Sequence, residues 1–424
     1  MKNKPITYKQ ILEKKDYLPF YVYDYDIIKG QILKLKNNLP SNVELFYSAK
    51  ANPNLAILKI MNNFNLSAEI ISLGELSAVK KANFKSKEIF FAGSTKTDNE
   101  FIHSFNKGVR LFSIESISEL QRLNKVARNF NRKIDIIIRL NLGNDQEMKI
   151  YKYSRVSDFG IEIKDFEKIL HNFSNNFSNI NLKGVHFYGM SRICNSDVLI
   201  KGIDNLFSII CNLEKKFDIN FKIINIGGGF ESSMLKELDV LIFCKKLKNL
   251  IKKYNLNNRN IILELGRYFI NKSGVYITKI IDVEKKRDSI FLTVKGLLNC
   301  LLKTLSREGE NKDDFAIEII QQSKQKTYST VIRGQMSSTI DAFGRGFNSK
   351  FSLPKSKPGD FVIIKGVGAY GLTQALSLFG SRSIIAEFLM INNRLELIRK
   401  RSNHDDIISY QRIPKILKSK TINE

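Results

Sequence analysis

Proline and cysteine are scarce in this chain of 424 residues, which contains seven prolines and four cysteines. So few prolines exclude a collagen-like or proline-rich protein, and the even distribution of Ile, Leu and Phe excludes intrinsic disorder. The four cysteines lie far apart and form no CxxC pair: Cys194, Cys211, Cys244 and Cys300. This spacing argues against a disulfide framework or a zinc site, and it predicts free thiols in a reducing compartment.

Long apolar runs are also missing. No stretch reaches the roughly 18 apolar residues that a membrane span requires. The segment from Met1 to Gln10 is polar and lacks the apolar core of a signal peptide. The sequence therefore predicts a soluble, cytoplasmic protein with no membrane partner.

Acidic residues are few relative to basic ones: 42 Asp and Glu face 68 Lys and Arg, which gives a net charge of +26. A basic balance is typical of proteins that bind nucleic acid or acidic membranes. Such proteins usually carry clustered basic runs, whereas the lysines here are scattered over the predicted helices, as in Lys215-Lys216 and Lys252-Lys253. We interpret most of this charge as solvated helix surface and predict no nucleic-acid partner.

Eight short apolar or β-branched runs alternate with stretches of helical spacing. The runs are 43–50, 68–73, 87–93, 109–114, 134–142, 182–189, 221–229 and 261–266. The helical stretches include 54–64, 75–83, 118–130, 197–217 and 234–254. Eight such units predict an α/β protein with a (β/α)8 TIM barrel over residues 36–275. A doubly wound sheet is the alternative that periodicity leaves open.

The pattern changes beyond the eighth unit, where strand-like runs follow one another with little helix between them. These runs are 275–283, 289–294, 330–333, 361–364 and 384–391. We therefore predict a second, mainly β domain over 276–424, a barrel or sandwich. The charged segment 307–314 is predicted to be a loop, and the N-terminal residues 1–35 are expected to join the β domain.

Chemically informative side chains lie at the predicted C-terminal ends of the strands, where βα barrels build active sites. They are Lys50, Glu69, Ser72, Arg139, Asn141, His186, Tyr188, Gly227–Gly229, Glu264 and Arg267. A lysine that closes an apolar strand is expected to be drawn out of water, which lowers its pKa and favours attack on an aldehyde. The glycines could offer backbone N–H groups to a phosphate. Taken singly, each residue also has a structural interpretation: a solvating lysine, a tight turn, an ion pair or a core histidine.

Seven motifs occur in an order that resembles one enzyme family. They are Tyr47–Asn54 (YSAKANPN), Ile70–Leu76 (IISLGEL), Phe91–Thr97 (FAGSTKT), Asp158–Ile161 (DFGI), Gly227–Phe230 (GGGF), Glu264–Arg267 (ELGR) and Gly368–Gly371 (GAYG). This order resembles the fold-type III pyridoxal-phosphate decarboxylases, which act on diaminopimelate, ornithine, arginine or carrier-bound amino acids. The resemblance runs from about Phe20 to Phe379 and is strongest to diaminopimelate-decarboxylase-like members. It implies an alanine-racemase-like barrel followed by a β domain.

The resemblance also implies roles for individual residues. Lys50 would form the Schiff base with pyridoxal 5'-phosphate, and Glu264 would face the pyridine nitrogen and favour its protonation. The remaining cofactor contacts would be Glu69, Tyr188, Ser191, Gly227, Gly228, Gly229, Gly266, Arg267 and Tyr370. Tyr188 stands where ornithine and diaminopimelate decarboxylases usually have a stacking histidine.

The second domain departs from the family pattern at two positions. The family's motif Gly-Pro-x-Cys-x-x-x-Asp, which the partner subunit contributes, appears here as Gly334–Asp341 with Ser337 in place of cysteine. Lys303 stands where the family has an arginine that clamps the distal carboxylate of diaminopimelate, and it lacks the bidentate fork of arginine. We take Ser337 as catalytic beside Lys50 and Glu264, and expect substrate contacts from Asp341, Lys303, Arg139 and His186.

These observations predict a homodimeric enzyme with shared active sites that removes the α-carboxylate of an amino acid. One alternative is a decarboxylase of a carrier-protein-bound or other biosynthetic amino acid, since carrier proteins are acidic and a basic rim would attract them. An amino-acid racemase on the same barrel fits the motifs less well. A different class of function is a non-catalytic relative that keeps the fold and binds a partner, which the loss of the cysteine favours.

Overall fold

The computed structural model describes residues 6–131, 133–142, 159–301, 315–320, 326–343 and 350–417. Its strands are β1 Phe20–Asp24, β2 Val43–Ser48, β3 Ser67–Ile70, β4 Ile89–Phe91, β5 Leu111–Ile114, β6 Ile134–Asn141, β7 Ile161–Glu162, β8 Ile180–His186, β9 Ile223–Asn225, β10 Asn260–Leu265, β11 Gly274–Lys286, β12 Ser289–Val294, β13 Ala316–Ile320, β14 Thr327–Arg333, β15 Phe351–Pro354, β16 Phe361–Lys365, β17 Ala386–Ile391 and β18 Arg394–Arg399.

Its α-helices are α1 Tyr8–Glu13, α2 Tyr25–Lys36, α3 Leu55–Asn63, α4 Leu73–Lys81, α5 Asp98–Asn106, α6 Ile117–Asn129, α7 Ile163–His171, α8 Phe173–Asn176, α9 Ser196–Phe217, α10 Val240–Lys253, α11 Arg267–Ile270 and α12 His404–Ile408. Among these helices, none combines the length and the apolar character needed to cross a bilayer.

The chain divides into two compact units, one of which is Asp24–Ser273. In this unit eight parallel strands form a closed barrel in the order β5-β4-β3-β2-β10-β9-β8-β6, and pairing of β5 with β6 closes the ring. The predicted TIM barrel is therefore confirmed, and the closed ring excludes a doubly wound sheet. Strand β7 pairs with β6 at the side of the ring.

Short polar residues cap the N-termini of several barrel helices. The side chain of Ser72 accepts the backbone N–H of Glu75 to cap α4, and Ser116 caps α6 through Glu119. Asp239 accepts two backbone N–H groups at the start of α10. This cap explains why α10 begins at Val240 rather than near residue 234, as the apolar spacing predicted.

The second unit combines the residues up to Tyr23 with those from Gly274 onward. Its strands form a nine-stranded mixed sheet in the order β15-β14-β12-β11-β1-β17-β18, with β16 between β11 and β13. Its core includes Phe20, Ile277 and Phe388. The predicted mainly β domain is thus present, and the N-terminal strand β1 is a member of its sheet.

Helix α2 belongs to the barrel unit, although residues 1–35 were expected as a group to join the β domain. The reason is packing: α2 buries Ile28, Ile32 and Leu35, and its neighbours are α10 and α11 of the barrel unit. The division between the units therefore falls at Asp24, whose side chain caps α2. The predicted loop at 307–314 lies outside the described residues.

Candidate active site

Three of the predicted site residues lie at the mouth of the barrel on neighbouring strands. Lys50 follows β2 in a short 3-10 turn, Ala49–Ala51, while Glu69 lies on β3 and Glu264 on β10. Strand β2 pairs with both β3 and β10. Because parallel barrel strands end at one face, the lysine and the two carboxylates converge there.

The Lys50 amine lies 3.0 Å from Oε1 of Glu69. The Ser48 hydroxyl donates to the other carboxylate oxygen, so Glu69, which is only 2% exposed, is held on both sides. The Lys50 side chain itself is 37% exposed. The lysine is therefore partly withdrawn from water, less completely than the sequence predicted, because β2 ends at Ser48 and Lys50 lies in the turn beyond it.

Tyr188, in the loop after β8, lies near two cationic side chains. The Arg139 guanidinium lies 5.8 Å from the ring centroid of Tyr188 and 5.3 Å from that of Phe159. The Lys50 amine lies 6.0 Å from the Tyr188 centroid. Nη1 of Arg139 donates to Glu115 at 2.9 Å. Tyr188 is thus held by cation–π contacts, and the charge that Arg139 was expected to offer a substrate is already paired.

Glu264 is a buried carboxylate with a hydrogen bond to one oxygen and an imidazole near the other. Nδ2 of Asn225 donates to Oε1 at 2.5 Å, and Nε2 of His186 lies 3.6 Å from Oε2. Burial by itself would raise the pKa of Glu264. The interactions with His186, the nearby charge of Lys50 and the hydrogen bond from Asn225 oppose burial and hold the pKa below its ordinary value. Glu264 is therefore ionised and fixed in orientation.

The triple glycine after β9 passes so close to neighbouring strand ends that side chains would not fit. A Cβ on Gly228 would lie 1.8 Å from the carbonyl oxygen of Glu264, and one on Gly229 would lie 2.2 Å from that of Met190. Gly229 also has a φ of +87°. The N–H of Gly227 donates to Oδ1 of Asn225 at 2.9 Å, so Gly227 fixes the turn within the site.

A family profile described as "Pyridoxal-dependent decarboxylase, pyridoxal binding domain" matches residues 25–271. The chain belongs to the pyridoxal-dependent decarboxylase family. Diaminopimelate decarboxylase of Campylobacter jejuni is 28% identical over 412 residues, which cover 96% of this chain and 98% of that protein. L-glutamyl-[BtrI acyl-carrier protein] decarboxylase of Niallia circulans is 25% identical, covering 94% and 95%.

A solved structure agrees with the sequence relatives. Diaminopimelate decarboxylase from Helicobacter pylori complexed with L-lysine superposes with a TM-score of 0.82 at 25% identity, covering 95% of this chain and 98% of that one. The chain is therefore a pyridoxal-phosphate-dependent amino-acid decarboxylase, as the sequence motifs predicted.

The described residues of this decarboxylase fit pyridoxal phosphate in their chemistry. A primary amine at the barrel mouth can bind the aldehyde, and a buried carboxylate can pair with a protonated ring nitrogen. The glycine turn carries no Cβ atoms, which would let its backbone N–H groups approach a phosphate closely. Lys50, Glu264 and Gly228–Gly229 are the residues suited to these three parts of the cofactor.

Other predicted cofactor contacts remain predictions. Ser191 is exposed after β8, and Arg267 is the first residue of α11, directly after Gly266. A Cβ on Gly266 would lie 2.7 Å from Cβ of Ala51, so this glycine is required for packing next to Lys50. Tyr370 belongs to the β-domain unit, where its φ is +57°.

Asp341 of the β domain has a structural role in the loop that carries Ser337. Its carboxylate is 1% exposed and accepts the backbone N–H groups of Leu298, at 2.9 Å, and Met336, at 2.6 Å. Burial raises the pKa of Asp341, while these two donors oppose the rise. The carboxylate expected to contact substrate is therefore turned into its own domain. Lys303 lies outside the described residues.

The loop that carries Ser337 lines a cavity of about 500 Å³ in the β domain. The cavity is lined by Asp282, Thr293, Arg333 and Gly334–Thr339, with Asp341 at its base. Arg333 is paired with Glu284 at 2.8 Å and donates to Thr293. Ser337 and Ser338 therefore line a cavity within their own unit.

Sequence reasoning missed several residues of the barrel site. Glu75 lies within the quoted Ile70–Leu76 motif, and its carboxylate accepts the N–H of Ile71 at 2.8 Å. Burial and the nearby charge of Glu69 raise its pKa to about 7. Asn225 is the single polar residue in the otherwise apolar run Ile223–Ile226. A buried polar residue in such a run is unusual, and this is the signal that could have identified it from the sequence.

Proposed function

We propose that Lys50 carries pyridoxal phosphate and that Glu264 pairs with the ring nitrogen, so that the enzyme removes the α-carboxylate of an amino acid. When bound, the cofactor supplies an electron sink for the bond that breaks as carbon dioxide leaves. Glu69 holds the Lys50 amine at the barrel mouth, and the Tyr188 ring, fixed by Arg139, shapes the space beside it. Gly228, Gly229, Ser191 and Arg267 bind the phosphate.

The observation that carries this proposal is the convergence of Lys50, Glu69 and Glu264 from three adjacent strands. The test is spectroscopic. Purified protein incubated with pyridoxal phosphate should develop a visible absorption band that borohydride abolishes, and mass spectrometry should find the reduced label on Lys50. Unlabelled Lys50 in protein saturated with the cofactor contradicts the proposal.

We propose that the substrate is a free amino acid of the diaminopimelate type. The support comes from the Campylobacter jejuni and Helicobacter pylori relatives, each a diaminopimelate decarboxylase that aligns over nearly the whole chain. Carbon dioxide release should be measured with diaminopimelate, ornithine, lysine and arginine. Release from diaminopimelate at a kcat/KM at least about a hundredfold above the others supports the proposal, since that ratio corresponds to about 2.7 kcal/mol of discrimination.

A carrier-bound amino acid is the second candidate, because the Niallia circulans relative acts on an acyl-carrier-protein-bound glutamyl group. The net charge of +26 would attract an acidic carrier, and lysines such as Lys245 and Lys252 on α10 are exposed. Turnover of a glutamyl-carrier conjugate with no release from any free amino acid would favour this candidate. A rate on the conjugate that does not fall with rising salt would argue against electrostatic attraction.

We propose that the enzyme is a cytoplasmic homodimer whose β domain contributes Ser337 to the partner's site. Large apolar side chains surround this loop: Leu378 is 73% exposed, Phe379 45% and Ile340 39%. All four cysteines are free thiols, which fits a reducing compartment. Phe379→Glu should give inactive monomers in sedimentation experiments. Leu241→Glu, on a barrel helix residue that is 50% exposed, is the control and should remain dimeric.

A further inference from the structure

A buried chain of polar side chains reaches Glu264 from two other barrel strands. Oγ of Ser113 on β5 lies 2.9 Å from Nδ1 of His186, the last residue of β8. The opposite ring nitrogen of His186, Nε2, lies 3.6 Å from Oε2 of Glu264. Ser113 is 0% and His186 2% exposed. These contacts place the His186 imidazole beside Glu264, and the substrate contact expected of His186 stays a prediction.

Strand register explains why His186 and Asn225 act on the same carboxylate. His186 pairs with Asn225 across β8 and β9, and Asn225 pairs with Ile262 across β9 and β10. Glu264 lies two residues beyond Ile262, where side chains point to the same face. The amide therefore reaches one carboxylate oxygen and the imidazole faces the other.

Ser113 is fixed more firmly than a single hydroxyl contact would require. Its backbone carbonyl accepts a hydrogen bond from the Lys96 amine at 2.6 Å. That amine is 2% exposed and pairs with Glu119 at 2.9 Å. The edge of the His186 ring also packs against Phe90, with centroids 5.9 Å apart at 77°. The imidazole therefore has little freedom to turn away from Glu264.

The contact of Ser113 with Nδ1 is compatible with both imidazole tautomers, and the tautomer in which Ser113 donates is the one that places the imidazole proton on Nε2. A serine hydroxyl can donate to Nδ1, and a neutral imidazole that accepts at Nδ1 carries its proton on Nε2. That proton then points toward Oε2 of Glu264. With Asn225 donating to Oε1, each oxygen of the buried carboxylate faces a donor, and donors to the ionised form favour ionisation.

We infer that His186 is a positioning residue, which holds Glu264 ionised and aimed at the ring nitrogen of pyridoxal phosphate, while Ser113 fixes the imidazole tautomer. This inference rests on the proposed function, in which Glu264 pairs with that nitrogen. A proton shared between the ring nitrogen and Glu264 stays on the nitrogen only while the carboxylate remains the weaker base. Removing the imidazole donor strengthens Glu264 as a base and shifts the proton toward it.

The test uses holoenzyme loaded with pyridoxal phosphate labelled with 15N in the ring. In His186→Leu the 15N resonance should move toward that of an unprotonated pyridine, and kcat should fall at least about tenfold, the equivalent of one pKa unit. His186→Gln, which keeps an amide donor near the position of Nε2, should remain near wild type. Ser113→Ala should shift the resonance in the same direction by a smaller amount.

Ser104→Ala is the matched control, because Ser104 is also a fully buried serine but lies on helix α5. It should leave the resonance unchanged. An unchanged resonance in loaded, folded His186→Leu overturns the inference. If that variant does not fold, an unchanged resonance in Ser113→Ala overturns it instead. Absence of the borohydride-reduced cofactor label on Lys50 of the wild-type protein would overturn the proposed function. That result is independent of how the variants respond.

Discussion

The amine of Lys50 lies 3.0 Å from a carboxylate oxygen of Glu69, and the carboxylate is buried while the amine is open to the barrel mouth. A buried carboxylate without a cationic partner destabilises the fold. The pair therefore compensates the charge of Glu69 and also holds the Lys50 amine in place. The geometry leaves the amine accessible to an incoming aldehyde and keeps it next to a proton acceptor.

Glu69→Gln should weaken cofactor binding without unfolding the barrel. Glutamine keeps an oxygen for the Ser48 hydroxyl but removes the charge that fixes Lys50. We expect the Kd for pyridoxal phosphate to rise about tenfold, corresponding to about 1.4 kcal/mol. Titration of dialysed protein, followed by absorbance, measures this value. An unchanged Kd would mean that Glu69 does not position the amine.

Glu75 should make stability depend on pH in a direction unusual for a carboxylate. Its pKa is raised from 4.5 to about 7, mainly by burial, so the folded state binds more protons than the unfolded state between these values. Stability should therefore fall as the pH rises from about 5 to about 7. Allowing for the partial exposure of Glu75, we expect a loss of about 1 to 2 kcal/mol.

Urea unfolding at several pH values, in wild type and in Glu75→Gln, measures this loss. The amide does not titrate, so the variant should lack the decline between pH 5 and 7 that wild type shows. Equal slopes for the two proteins would assign the pH dependence to other groups.

Gly228→Ala should disrupt the glycine turn. The added Cβ would lie 1.8 Å from the carbonyl oxygen of Glu264, a backbone atom that cannot move without distorting β10. We expect loss of pyridoxal-phosphate binding and a fall in unfolding free energy of about 2 to 4 kcal/mol. Cofactor titration and thermal unfolding measure the two effects.

Gly30→Ala is the control for the glycine substitution. Gly30 lies inside helix α2, and a Cβ there would meet no atom within 4 Å. Alanine should stabilise the helix by about 0.5 to 1 kcal/mol and leave cofactor binding unchanged. Loss of cofactor binding in Gly30→Ala would show that the titration responds to any perturbation of the protein and not to the glycine turn in particular.

Asp341→Ala should separate loop order from cofactor binding. The substitution leaves the N–H groups of Leu298 and Met336 without their buried acceptor, and each unmet donor costs about 1 to 3 kcal/mol. We expect a destabilised β domain and little carbon dioxide release. The barrel should still bind pyridoxal phosphate on Lys50. Asp341→Asn, which keeps one acceptor, should be intermediate in unfolding experiments.

The barrel could be predicted because its strands carry their own signal. The eight runs are rich in apolar and β-branched residues, and at some strands a capping residue of the next helix follows closely, as Ser72 follows β3. Strand β1 is also aromatic and β-branched, but its place in the β domain is set by pairing with β11 far along the chain. Strand β18 lies at the edge of its sheet and is largely exposed, so its charged residues do not distinguish it from ordinary surface in the sequence.

Some site residues could also be predicted from local sequence, whereas others depend on how distant strands pair. Lys50 and Glu264 stand at strand ends within recognisable motifs, so position alone predicts their location. Ser113 and Asn225 act through the register of strands that are distant in sequence. Arg139, His186 and Asp341 each have a buried partner that only the fold reveals, and their expected substrate contacts stay predictions.

Pairing of Tyr23 with Gly274 means that β1 meets β11 about 250 residues after it is synthesised. At a synthesis rate of roughly 5 to 20 residues per second, the first strand waits tens of seconds for its neighbour. The barrel, in contrast, is continuous in sequence and can complete its ring during that interval. The order of assembly on the ribosome is therefore set by the chain path: the cofactor-binding unit forms first, and the β domain can close only afterwards.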